Sequence, residues 1–271
     1  MRINTWDRIE KLNKEYSSLN LDEVIDYKKF YLYSIITHST AIEGSTLTEL
    51  DTQLLFDEGI TAKGKPLTHH LMNEDLRNAY YFAMEEADKK APITPEFLKK
   101  LNSILMNRTG NIHNTMVGSF DSSKGEYRLC GVTAGYGGRS YINYQKVPER
   151  VSELCDEISK RIEVERNMKD IYNLSFDAHF NLVTIHPWVD GNGRASRLFM
   201  NYMQFYNKVV PTKIFKEDRA EYITSLVESR EKESTAPFRE FMAKQHEKTL
   251  QSEISTYKKE NKKNGGFRLI L

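Results

Sequence analysis

A short stretch of this 271-residue chain, residues 186–197, carries the groups that phosphate chemistry requires. Its sequence is HPWVDGNGRASR, in which Pro187 must end the preceding helix and Asn192 or Gly193 opens the next one. Free N–H groups at a helix N-terminus, together with the helix dipole, attract anions. Gly191 and Gly193 let the backbone come close to a phosphate, and Asn192 can cap the helix or donate to a phosphate oxygen. The stretch is therefore predicted to bind phosphates.

Four ionisable side chains in the same stretch extend this prediction. His186 lies at the edge of the loop, where it can take a proton from an incoming hydroxyl. Asp190 offers a hard carboxylate oxygen for a Mg²⁺ ion that phosphates also hold. Arg194 and Arg197 are three residues apart on one helix face, so both can neutralise charge on a polyphosphate leaving group. Each residue alone is most often structural or solvated, but their order and spacing together indicate an active site.

Helices are predicted to position these groups. Thr94 followed by Pro95 is an N-cap with proline at the first helical position, and Asp170 is the expected cap of the helix that leads to His186. Gly44 and Gly59 are expected helix stops. Apolar spacing and breakers place helices at about residues 5–19, 22–43, 48–56, 70–89, 95–106, 148–164, 170–185, 193–207 and 216–230, and from 234 or 237 to 259.

One region departs from this helical pattern. Residues 108–145 hold seven of the 14 glycines, interleaved with tyrosines and β-branched residues. Short strands or a hairpin are expected there, at 127–128, 132–135 and 140–144. A loop of this length in a compact domain is usually functional. The sequence therefore predicts one all-α domain with a small β-hairpin flap beside the phosphate site.

The composition excludes several classes of protein. The formal net charge of +1 gives no reason to expect a nucleic-acid or anionic-membrane partner. The N-terminus lacks the apolar stretch of a secretory signal, and no apolar run approaches the roughly 18 residues of a membrane span. Cys130 and Cys155 form no CxxC pair, which favours a reducing cytoplasm.

The stretch HPWVDGNGR, followed by Arg197, resembles the signature HPFx(D/E)GNGRxxR of Fic (filamentation induced by cAMP) domains. Every signature position matches except Trp188, where phenylalanine is usual. The resemblance extends to DAHFNLVTIHP and to GEYR…V…VP, and covers roughly residues 71–244. It implies a Fic-type helical bundle with a core domain at 71–245, an N-terminal helical region at 1–70, and a C-terminal helix end and tail at 246–271.

The resemblance also implies an activity. Fic enzymes transfer AMP from ATP to a Ser, Thr or Tyr hydroxyl of a protein, and the modified protein can be the enzyme itself. By this resemblance His186 would be the general base and Asp190 the Mg²⁺ ligand. Two groups would hold the nucleotide: Gly191, Asn192 and Gly193 as an anion hole for the α- and β-phosphates, and Arg194 and Arg197 on the β- and γ-phosphates. The GNG version of the loop favours AMP transfer over phosphorylation.

The flap is a candidate surface for the protein substrate. An exposed strand edge can hold a target segment through main-chain hydrogen bonds without demanding a particular sequence. Tyr141, Ile142 and Asn143 are expected at this edge, and they could equally contact the nucleotide base. A purely structural hairpin is the alternative.

A second motif predicts internal inhibition. Residues 39–44, with the sequence STAIEG, resemble the inhibitory motif (S/T)xxxE(G/N) of many Fic proteins. The resemblance assigns Ser39, Glu43 and Gly44 to this motif and pairs Glu43 with Arg197. A carboxylate on this guanidinium would occupy the group that the γ-phosphate needs and would repel the triphosphate.

Two further functions remain open at this stage. Glu43 could instead orient a water, which would make the protein a hydrolase that removes AMP from a modified protein. The chain could also be a non-catalytic nucleotide-binding regulator, although the presence of both His186 and Asp190 disfavours this. Dimerisation is common among Fic proteins, so a homodimer is a further expectation.

Overall fold

The computed structural model describes residues 4–21, 26–134, 138–165 and 167–263. These ranges form ten α-helices and one two-stranded sheet. The helices are α1 (Thr5–Ser18), α2 (Tyr27–Ile42), α3 (Glu49–Glu58), α4 (Leu67–Asp88), α5 (Pro95–Leu105), α6 (Val147–Ile162), α7 (Met168–Ile185), α8 (Asn192–Tyr206), α9 (Arg219–Glu231) and α10 (Ala236–Lys263). The strands are β1 (Ile112–Thr115) and β2 (Gly118–Asp121). The predicted all-α class with a small hairpin is confirmed.

Local sequence signals explain most of the helix ends. Thr94 accepts a hydrogen bond from the backbone N–H of Phe97, with Pro95 in the first turn, as predicted. Gly59 adopts a left-handed conformation at φ 70° and ends α3. Asp170 was predicted to be the N-cap of α7, and this is wrong. The N-cap is Asn167, which accepts from the backbone N–H of Asp170, and α7 therefore begins at Met168.

Helix α8 lies at the centre of the molecule. It packs against α7 on one side and α4 on the other. Leu182 of α7, Leu198 and Tyr202 of α8, and Leu76 and Tyr80 of α4 share the largest hydrophobic core. Because α8 is buried along most of its length, the residues of its first turn are held firmly.

The strands lie earlier in the chain than predicted. β1 pairs antiparallel with β2, so the hairpin spans residues 112–121. The strand predicted at 127–128 is wrong, the one predicted at 140–144 is formed only at its start, and Tyr144 lies in a 3₁₀ turn. Between residues 132 and 141 the pairing is limited to one bridge, Thr133 with Ser140, and residues 135–137 lie outside the described part. We call the described residues 132–134 and 138–143 the flap.

Two predicted segments fall partly outside the described residues. They are the start predicted for α2, at residues 22–25, and the end of the predicted C-terminal tail, at residues 264–271. Helix α10 continues to Lys263, four residues beyond its predicted end. Within the described ranges, every helix is too short or too polar to cross a membrane.

Candidate active site

The loop between α7 and α8 is held by its own side chains. Asn192 binds Trp188 twice, because its Oδ1 accepts from the backbone N–H (3.1 Å) and its Nδ2 donates to the carbonyl (2.8 Å). The Trp188 ring is fully buried, and its indole N–H donates to the carbonyl of Gly125 at 3.0 Å. Trp188 therefore anchors the loop to the segment after β2, and Asn192 closes it.

His186 is held as a neutral imidazole at the end of α7. It is the C-cap of α7 and adopts a left-handed conformation, with φ 55°. Its Nδ1 lies 3.3 Å from the carbonyl oxygen of Val183. Since a carbonyl only accepts, Nδ1 carries the proton and Nε2 keeps its lone pair. Burial lowers the pKa of His186 to about 4, so the imidazole is neutral at physiological pH.

Gly191 and Arg194 form a cradle at the N-terminus of α8. Gly191 has φ 81°, and a β-carbon there would lie 2.9 Å from both Nδ2 of Asn102 and Sδ of Met106, so glycine is required. Arg194 is 2% exposed, and its Nη2 donates to Sδ of Met106 at 3.3 Å. Its Nε and Nη1 have no partner among the described residues. Buried guanidinium nitrogens without a partner are costly, which is expected of a site that binds an anion.

Arg197 lies one turn further along α8 and contacts α2. Its Nη2 donates to Oε1 of Glu43 at 2.7 Å. Ser39 provides two more acceptors, its hydroxyl to Nε (2.8 Å) and its carbonyl to Nη2 (2.9 Å). Arg197 is 3% exposed and the Glu43 side chain 36%. The predicted contact between the residue 39–44 motif and Arg197 is therefore present in the structure.

The charges of this pair stabilise each other. Burial alone would raise the pKa of Glu43, but the charge and hydrogen bond of Arg197 outweigh it and lower that pKa. Glu43 is the C-cap residue of α2, followed by Gly44 at φ 100°. Arg219 of α9 donates to the carbonyl of Ile42 at 2.8 Å, so the end of α2 is tied to the neighbouring helix.

Asp190 differs from the other residues of the loop. Its side chain is 68% exposed, and its Oδ1 accepts from the backbone N–H of Gly191 at 2.6 Å. In the described ranges no group of three or more His, Cys, Asp or Glu residues could hold a metal ion. One exposed carboxylate beside an anion cradle is the donor set that Mg²⁺ uses when phosphates and water supply its remaining ligands.

The flap covers His186. The ring of Tyr141 stacks on the imidazole, with centroids 3.8 Å apart and planes at 19°, and the guanidinium carbon of Arg230 lies 5.6 Å from the Tyr141 ring. Asn143 accepts from the backbone N–H of Gln145, so it caps a 3₁₀ turn. A cavity of about 400 Å³ adjoins the flap, with Tyr141, Ile142 and Arg230 among its lining residues. Tyr141 and Ile142 thus face open space near His186.

Sequence reasoning missed Arg128, Arg230 and Asn102. Arg128 and Asn102 are fully buried, and both amide atoms of Asn102 lack a partner among the described residues. No spacing rule connects these positions with residues 186–197. Their one signal was Arg128 within the GEYR stretch, which entered the family resemblance and the predicted strand at 127–128 without a role for its side chain.

This geometry defines a helical protein with a candidate anion site at the start of a buried helix. Residues 92–204 match the family model described as Fic/DOC family. Two solved structures share the fold at 22% identity: a Fic domain containing signaling protein from Bacteroides thetaiotaomicron, with TM-score 0.78 over 93% of this chain and 97% of that one, and Fic-1 from C. elegans, with TM-score 0.76 over 94% and 72%. The fold is thus that of these Fic structures, and residues 92–204 are similar to the Fic/DOC family.

Curated relatives match over a longer stretch. The protein named protein adenylyltransferase Fic from Drosophila mojavensis is 30% identical over 227 residues, which is 82% of this chain and 41% of the relative. The protein of the same name from Drosophila grimshawi is 29% identical, with 82% and 43% covered. The chain thus spans about two-fifths of the length of these relatives.

Proposed function

We propose that this protein transfers AMP from ATP to a hydroxyl of a protein side chain, and that Glu43 restrains the reaction in the resting molecule. One observation carries the proposal: a neutral His186 stands beside a helix N-terminus at which two nitrogens of the buried Arg194 have no partner in the described part of the chain. Such a site supplies a base and an anion cradle within one loop. The names of the Drosophila relatives support the same reaction.

The reaction follows from these groups. Nε2 of His186 takes the proton of the acceptor hydroxyl, whose oxygen forms a bond to the α-phosphorus. The bond from the α-phosphorus to the bridging oxygen of the β-phosphate breaks, and pyrophosphate leaves. Arg194 neutralises charge on the departing phosphates. Asp190 would hold a Mg²⁺ ion, which when bound neutralises phosphate charge.

The cavity beside Tyr141 and Ile142 is open for the nucleoside. The phosphates would lie at Gly191 and, once the Glu43 carboxylate withdraws, at Gly193. An acceptor segment paired with the flap would then lie on the side of Nε2. The Asn143 side chain is less available to contact the acceptor segment, because it already caps a 3₁₀ turn.

Glu43 restrains the reaction by occupying Arg197. While the carboxylate holds Nη2 at 2.7 Å, this guanidinium is not free for the γ-phosphate, and the negative charge repels a triphosphate. A hydrogen bond to a charged group contributes about 1.5–3 kcal/mol. Removing the Glu43 carboxylate should therefore strengthen productive ATP binding about 10- to 100-fold.

Radiolabel transfer tests both parts of the proposal. Wild type, Glu43→Gly and Glu43→Gly/His186→Ala are incubated with α-³²P-ATP and Mg²⁺, alone and with lysate proteins. Of the three proteins, we expect only Glu43→Gly to give strong protein-bound label. Equal labelling by wild type and Glu43→Gly contradicts the inhibition, and label that survives His186→Ala contradicts the role of the base.

The same material tests removal of AMP. Protein labelled by Glu43→Gly is freed of ATP and mixed with fresh wild type or fresh Glu43→Gly. Release of labelled AMP by wild type only would assign Glu43 to hydrolysis as well. A Glu43→Gly protein that binds ATP but labels nothing would instead identify a nucleotide-binding regulator.

A further inference from the structure

Arg128 is a buried cation whose described side-chain hydrogen bonds all go to backbone carbonyls. Its side chain is 0% exposed. Nε donates to His186 at 2.8 Å, Nη1 to Cys130 at 2.7 Å and Nη2 to Ile142 at 2.7 Å. Burial lowers the pKa of Arg128, which reflects the cost of burying this charge among uncharged acceptors. A neutral donor would stabilise the fold at lower cost, so a specific geometric role is indicated.

The three carbonyls belong to three different segments of the chain. His186 is 58 residues from Arg128, and Ile142 is 14 residues from it. The backbone N–H of Arg128 also donates to the carbonyl of Pro187 at 3.0 Å. The guanidinium is planar and rigid, so one side chain fixes the directions of all three bonds. Arg128 thus sets the distance between the flap and the loop that carries the base.

This distance determines where an acceptor can lie. The flap residue Tyr141 directly precedes Ile142, and its ring lies 3.8 Å from the imidazole of His186. The Tyr141 backbone N–H donates to the carbonyl of Val132 at 3.1 Å, so the two sides of the flap move together. A shift of about 1 Å in a reacting group can cost about 100-fold in rate. Loosening the flap would therefore misplace a protein hydroxyl while leaving the phosphate cradle intact.

We propose that Arg128 is a positioning residue that fixes the flap against His186, and that it thereby directs AMP to a protein hydroxyl instead of water. The inference rests on the proposed AMP transfer. Lysine at this position keeps the charge but has one ammonium group, which cannot reach three carbonyls in the directions of the guanidinium fork. The substitution Arg128→Lys therefore separates the geometry from the charge.

The test uses the full chain in the Glu43→Gly background. Label from α-³²P-ATP is followed into protein, through self-labelling and lysate proteins, and into free AMP released to water. ATP affinity is measured by calorimetry on the same samples. The matched control is Arg77→Lys, because Arg77 also donates to a backbone carbonyl, that of Phe56 at 3.2 Å, at the contact between α4 and α3.

We expect Arg128→Lys to lower protein labelling at least about tenfold, with free AMP and ATP affinity changed less than about twofold. Arg77→Lys should change none of the three. An unchanged ratio of protein label to free AMP overturns the inference, as does parallel loss of ATP binding or of helical circular dichroism. Failure of Glu43→Gly itself to transfer AMP would count against the proposed function, so the two failures are distinguishable.

Discussion

Gly193 lies directly beneath the carboxylate of Glu43. A β-carbon at position 193 would overlap Oε1 of Glu43 and lie 3.2 Å from its Cδ. Apart from Glu43, the nearest atom would be Nη1 of Arg197 at 3.1 Å, the end of a flexible side chain. The second glycine of the loop is therefore needed for the carboxylate to rest on α8.

This contact predicts a stability coupling between the two positions. Gly193→Ala should destabilise wild type, because the methyl group displaces the carboxylate. In the Glu43→Gly background it should be neutral, or stabilise by up to about 1 kcal/mol, since alanine favours the helix. Urea unfolding of the four variants should give a coupling of about 1–2 kcal/mol. Equal effects of Gly193→Ala in both backgrounds would contradict the contact.

Ser39 should contribute to the restraint in a graded way. Ser39→Ala removes the hydroxyl that accepts from Nε of Arg197 at 2.8 Å. The loss of an acceptor for a buried charged donor should cost about 2 kcal/mol in the free energy of unfolding. Because Glu43 still holds Nη2, labelling should rise less than with Glu43→Gly. Ser45→Ala is the control, since the described bonds of the Ser45 hydroxyl are to Leu47 and Asn73. A Ser39→Ala protein as stable as wild type would refute this account.

Under the proposed function, the pH dependence of AMP transfer should reflect the lowered pKa of His186. Burial is the largest cause, and Arg128 and Arg230 lower the pKa further, to about 4. Above this value Nε2 is unprotonated and can act as the base; as pH falls through it, protonation removes the lone pair. The rate of Glu43→Gly at saturating ATP should stay flat between about pH 6 and 8. An acid limb centred near the ordinary histidine value of about 6.5 would disagree with this environment.

Acid should destabilise the fold partly through His246. This side chain is fully buried, and burial lowers its pKa to about 3. Below about pH 6.5 the unfolded chain binds a proton that the folded chain does not, so the free energy of unfolding falls as pH falls. Each such group contributes about 1 kcal/mol per pH unit in this window. Urea unfolding at pH 7, 6 and 5 should show a shallower slope for His246→Phe than for wild type, and identical slopes would exclude His246 as a source.

The sequence was most informative where the chemistry is local. Residues 186–197 are contiguous, so their loop and helix start could be predicted, and the motif containing Ser39 and Glu43 led to the contact with Arg197 seen in the structure. The hairpin was misplaced because its turn carries Met116 and Val117, two exposed apolar residues that do not mark a turn. Arg128 was missed for a different reason. Its partners are main-chain carbonyls, which have no side-chain signature, and the fold alone brings them together.

The C-cap position of Glu43 has a thermodynamic consequence. The last turn of α2 carries the Glu43 carboxylate, and Arg219 of the neighbouring helix α9 donates to the carbonyl of Ile42 in this turn. Under the proposed function, ATP and any partner that draws this turn away from Arg197 obey reciprocal linkage. A partner that tightens ATP binding by some factor is itself bound more tightly by the same factor when ATP is present. The cellular ATP level would then govern which partners remain associated with this end of α2, before any AMP is transferred.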